Sequence, residues 1–128
     1  MKRKEFIFLT VAGAAAIVIP NAGCRQYSDA TVDALSRPLF LGQVCDAKTI
    51  GEIGAAYRTA NPEESHRNRL IGLLLKDMPA AQDDHRLARL VDARVRSDFA
   101  TDNIVTVKGW VLSRTEARQC ALYSISLQ

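Results

Sequence analysis

Two histidines, three cysteines and one tryptophan limit the chemistry that this 128-residue chain can carry. No two of Cys24, Cys45 and Cys120 form a Cys-x-x-Cys pair, so zinc binding and thioredoxin-type exchange lack support. Glu63 and His66 are three positions apart, half of the motif that carboxylate di-metal bundles use twice, and no second Glu-x-x-His occurs. His66 and His85 are therefore read as solvated residues at helix starts. No Gly-x-Ser-x-Gly elbow is present. A phosphate-cradling loop is missing too: Gly109 is isolated, and Gly51 and Gly54 fall inside a predicted helix. Cys120 with either histidine would make a nucleophile and base, but Cys120 belongs to a predicted buried face. The formal charge is +3, and residues 1–23 carry +2 of it. The remaining arginines are interleaved with Asp and Glu, so no basic stripe for nucleic acid forms. The chain is assigned no catalytic, cofactor-binding or metal-ligating residue.

What is present begins with a targeting segment. Lys2, Arg3 and Lys4 precede the apolar run Phe6–Pro20. That run is too short for a comfortable membrane span and suits a secretory signal over residues 1–23. Asn21-Ala22-Gly23-Cys24 follows at once and resembles the lipobox of bacterial lipoproteins, with Asn21 where an aliphatic residue is usual. Lipidation of Cys24, a plain cleaved signal and an uncleaved anchor all remain open. Arg3-Lys4-Glu5-Phe6-Ile7 resembles a weakened twin-arginine motif, with Lys in place of the second Arg. In an oxidising compartment Cys45 and Cys120 have three fates: a bridge to each other, burial as small hydrophobes, or a bridge to a partner.

Residues 24–30 read as a polar tether and 31–128 as one helical domain. Val32, Leu35, Leu39, Phe40 and Val44 follow a helical pattern that Pro38 interrupts, so a broken first helix is predicted. Asp46 or Thr49 caps the next helix, whose inner face is Ile50, Ile53, Gly54 and Tyr57. Close helix packing is the expected reason for the glycines there, with a ligand approaching the backbone as the alternative. Asn61-Pro62-Glu63-Glu64 opens a helix running to about Lys76. It is apolar on more than one side and is predicted to be central; Met78-Pro79 ends it. Gln82–Asp84 opens another, with Leu87, Leu90, Val91, Val95 and Phe99 inward and Arg86, Arg89, Asp92, Arg94 and Arg96 solvated. Ala100–Asn103 turns into a short extended piece, Ile104–Val107.

Gly109–Ile125 holds the clearest helix start. Ser113-Arg114-Thr115-Glu116 has the form of a capping box. Ala117, Cys120, Ala121 and Ile125 then give a narrow, small-residue buried face. Trp110 is predicted to plug the core, since large aromatics dominate burial. The alternative is that Trp110, Val111 and Leu112 present apolar area to another chain. The prediction is an all-α fold, a small bundle of four to five helices with one short extended segment before the C-terminal helix.

Three stretches resemble the gluconate 2-dehydrogenase subunit 3 family. They are Thr101–Val107 running into Gly109–Ala117, the early Leu35–Leu39, and Ile50–Tyr57. The resemblance implies a small non-catalytic subunit of a periplasmic, membrane-associated sugar or sugar-acid dehydrogenase. A large flavoprotein partner would carry FAD, and a cytochrome c subunit would often take the electrons. The small subunit of that family often supplies the export signal, and a lipid at Cys24 would hold the complex on the periplasmic side of a bacterial membrane. A stand-alone small envelope lipoprotein is the competing expectation.

Overall fold

A computed structural model of the chain describes residues 28–79 and 83–127. The export signal, Cys24 and the tether as far as residue 27 lie outside them. The described elements are helices α1 (Asp29–Leu35), α2 (Leu41–Val44), α3 (Ala47–Ala60), α4 (Arg67–Leu75) and α5 (Asp84–Ala100). Strands β1 (Ile104–Val107) and β2 (Trp110–Ser113) and helix α6 (Arg114–Ser126) follow. No described helix is long and apolar enough to cross a membrane.

The domain is mostly helical, as the all-α prediction has it, with a small two-stranded antiparallel sheet added. The single extended piece predicted before the last helix is one arm of an antiparallel hairpin, with Val107 opposite Trp110 and Val105 opposite Leu112. Lys108 and Gly109 both take positive φ, 51° and 84°. A two-residue loop of that handedness matches the right-handed twist of the strands it joins, so the chain doubles back. Trp110–Ser113 therefore pair with Ile104–Val107 before the helix begins.

The helix expected at the centre is also not the central one. Four consecutive residues of α6, Gln119, Cys120, Ala121 and Leu122, are buried, as are Thr115, Glu116, Ala117 and Ser124. This is burial on several sides, not along a narrow face. The reason lies in its neighbours: α3, α4, α5 and the hairpin all pack on it. Small side chains let α3 come closest. A Cβ on Gly54 would stand 1.9 Å from the carbonyl oxygen of Cys120, so only glycine permits this approach. The face of α3 is as the spacing predicts, with Ile50, Ile53, Gly54 and Tyr57 buried and Asp46 capping through Thr49 N–H at 2.8 Å.

The helix predicted from Asn61 to Lys76 is shorter. A 3₁₀ turn at Pro62–Glu64 comes first, and α4 starts at Arg67. Asn61 closes α3, donating its side-chain amide to the Tyr57 carbonyl. The turn directs Glu64 inward, where it finds partners on α3 and α6. Only Leu70, Ile71 and Leu74 of α4 are buried.

The first helix breaks where Pro38 requires, though α1 begins at Asp29, capped by Ser28, inside the stretch read as tether. The chain turns helical again at Leu41, without a side-chain cap. Asp83 caps α5. Leu87 and Val91 are buried as expected, but Phe99 is exposed and the next residue inward is Asp98. Arg94, read as solvated, instead donates to the carbonyls of Leu74 and Lys76, which the end of α4 leaves unpaired.

Candidate functional site

The hairpin is fixed from its inner side. Val107 and Leu112 sit in the core, Leu112 at 2% exposure. The next residue, Ser113, is the predicted cap: its hydroxyl accepts the Glu116 N–H at 2.9 Å, and the Glu116 carboxylate accepts the Ser113 N–H at 3.0 Å. Two further N–H groups of this helix start are taken from a distance. Thr115 N–H donates to the Asp98 carboxylate at 2.9 Å, and Arg114 N–H to the Asn103 carbonyl at 3.0 Å. Three successive orphan donors of α6 are thereby satisfied.

On this base the hairpin carries apolar residues that the core does not take. Trp110 is 37% exposed and Val111 58%. Trp110 is therefore not the core plug that its type predicts. It stands at the strand end beside the turn, opposite Val107. Of the three candidate contact residues, Leu112 is internal, Val111 is exposed on the opposite face, and Trp110, on the face of Leu112, is partly exposed. By register Val111 lies opposite Thr106, and Ile104, half-exposed, lies on the same face two residues away.

The remaining candidates do not converge. His66 and His85 are exposed, at the cap of α4 and in the first turn of α5. Among the described residues no group of three His, Cys, Asp or Glu could hold a metal ion. Cys45 and Cys120 are both free thiols. Cys120 is fully buried in α6, and burial, with the nearby Glu116 charge, pushes its thiol up to about 12. Burial and Asp46 also raise Cys45, which is half-buried at the end of α2. Thiolate is the reactive form, so neither is activated. Iodoacetamide applied to the folded protein at neutral pH is expected to modify Cys45 slowly and Cys120 not at all. Peptide mass spectrometry checks this, and carbamidomethyl on Cys120 under native conditions would contradict the packing.

Two buried acidic residues escaped the sequence. Glu64 accepts the Tyr57 hydroxyl at 2.9 Å and Arg118 through both carboxylate oxygens, at 2.8 and 3.2 Å. Arg114 donates to the same Tyr57 oxygen at 3.3 Å. Asp98, 7% exposed, binds Thr115 and the Asn103 side chain. The signal available in sequence was weak: polar residues beside apolar ones on helices, with partners far along the chain.

Glu116 behaves oppositely to Glu64. Burial pushes its carboxyl up, the Ser113 N–H pulls it down, and Asp98 and Asp92 push it up again, for a net rise. A raised carboxyl contributes most while protonated and loses that contribution as pH rises through its folded value. Glu116→Gln keeps an acceptor for Ser113 and removes the charge. Its melting temperature is expected to exceed that of the parent near about pH 7, with the advantage shrinking as pH falls toward about 4. A variant less stable than the parent at neutral pH would show that the carboxylate form is needed.

Comparison with protein-family models, with curated proteins and with solved structures finds no match.

Proposed function

We propose that this chain is a non-catalytic accessory subunit that binds a larger exported protein through its hairpin. The observation that carries this reading is the partial exposure of Trp110 and the exposure of Val111, on opposite faces of a hairpin anchored by Val107, Leu112 and the α6 cap. A rigid element presenting apolar side chains, an aromatic among them, suits a contact surface. The stretches resembling gluconate 2-dehydrogenase subunit 3 favour an FAD-dependent sugar or sugar-acid dehydrogenase as the partner. The subunit would then aid its export, maturation or membrane attachment, with Cys24 as the lipid site and the cofactor in the partner.

The test is a native pull-down from gently solubilised envelope with a C-terminal tag. A stoichiometric large subunit with a flavin absorbance is the expected result. Val111→Asp should reduce that recovery by about tenfold or more and leave the melting temperature nearly unchanged, because Val111 lies on the hairpin face away from Val107 and Leu112. A colourless, solitary chain would overturn the reading and leave a stand-alone envelope lipoprotein.

A further inference from the structure

Leu39, Phe40 and Val44 fit a helical pattern in the sequence, but the core does not take them: they are 61%, 66% and 56% exposed. They flank Leu41, which is 2% exposed and pins α2 to the domain. Phe40 and Val44 are four residues apart, at the two ends of this single turn, so they share its outer face. Pro38 stiffens the approach to it. The result is a small, fixed apolar knob on a different element from the hairpin.

The charges around the knob are one-sided. From Ser36 to Cys45 the chain has one arginine and no carboxylate. Acids on the neighbouring segments are already engaged. Asp33 holds Arg37 at 3.0 Å, Asp92 holds Arg96 at 3.0 Å, and Asp46 accepts the Thr49 N–H at 2.8 Å. Arg89 and Arg96 of α5 border the hollow beside Leu39.

The chain before α1 indicates what covers this knob. Cys24 stands four residues before Ser28. Such a tether spans at most about 14 Å. A domain of this size has a radius of gyration of about 13 Å, so it is wider than the tether is long. With a lipid on Cys24 the domain cannot leave the headgroups, and one of its faces lies against them. We propose that this face is the α2 turn, with Leu39, Phe40 and Val44 inserted into an anionic bilayer and Arg37, Arg89 and Arg96 near its phosphates. Apolar side chains enter at the boundary between headgroups and acyl chains, and arginine reaches the phosphates above them. A carboxylate would be costly there, and the turn has none. The proposal rests on the Cys24 lipid of the reading above, and it leaves the hairpin free for a partner.

Phe40→Trp in a Trp110→Phe background makes position 40 the only tryptophan. The full chain, purified from the envelope, would be reconstituted in phosphatidylethanolamine–phosphatidylglycerol vesicles with and without brominated acyl chains. Its intact mass records the lipid on Cys24. Bromine is expected to quench about half or more of the emission from position 40. The parent, whose only tryptophan is Trp110, should lose much less. Val44→Asp added to the reporter should restore most of the emission and leave the melting temperature unchanged, because Val44 is exposed. In an acylated chain, no quenching at position 40, equal quenching at 40 and 110, or quenching that Val44→Asp does not relieve would each overturn the proposal and leave the anchor standing. Emission that follows protein concentration and not bromine would give the face to a second copy and overturn it too. A mass without acyl chains would overturn the anchor and the proposal together.

Discussion

Gly54→Ala is expected to destabilise the domain by about 3 kcal/mol or more, at the top of the range for overpacked cores. The added methyl would lie 1.9 Å from the Cys120 carbonyl oxygen and 2.4 Å from its carbon. Both are backbone atoms of a helix packed on several sides, so no rotamer change relieves the clash. The two helices must separate, and with them Ile53 and Tyr57 lose their seats against α6. Gly42→Ala in α2 is the matched control. Nothing lies within 4 Å of its Cβ position, and a gain of about 0.5 kcal/mol is expected from a stiffer unfolded chain. Urea titration of both variants checks the pair. A Gly54→Ala protein as stable as the parent would mean that α3 and α6 do not approach as closely as described.

Glu64→Ala is the second large effect. It leaves Arg118 and the Tyr57 hydroxyl without their shared acceptor in a largely buried setting. Removing one partner of such a pair costs about 3–5 kcal/mol, chiefly from the charge left behind. Glu64→Ala with Arg118→Met should recover much of that loss, since no orphan cation remains. The pH dependence has a definite sign. Burial pushes the Glu64 carboxyl up, but the hydrogen bonds of Arg118 and Tyr57 and the charges of Arg118 and Arg114 outweigh it and hold it below the usual 4.5. A lowered carboxyl stabilises above its unfolded value, and that stability disappears as pH falls through the folded one. The parent should therefore lose stability below about pH 4.5 more steeply than Glu64→Ala. Parallel pH–melting curves would remove Glu64 from the account.

These two residues also mark where the sequence was readable. The Ser113–Glu116 box and the Asp46 cap join groups three residues apart, so local spacing contains the whole interaction. The inner face of α3 was legible for the same reason. Glu64 and Arg118 are 54 residues apart, and Thr115 and Asp98 are 17. Nothing near either acid announces its partner. The hairpin was a different kind of miss. Its turn, Lys108-Gly109, is local, but Trp110–Leu112 was read as the approach to a helix and not as a second strand. The central position of α6 was hidden by its composition. Alanine, cysteine, serine and glutamine look like a thin apolar stripe until the surrounding helices are placed. Trp110, conversely, belongs to the interior by residue type alone, and its place at the strand end beside the turn leaves it partly exposed.

The order of synthesis adds a consequence to the position of α6. Every element that packs on this helix precedes it in the chain, so each leaves the ribosome before the helix they share exists. Ile53, Tyr57, Leu70 and Val91 then have no common core to enter. A nascent chain in that condition remains open until residues 114–126 emerge, whatever its upstream helices do locally. Chaperones that hold exposed apolar segments would meet this protein throughout most of its translation.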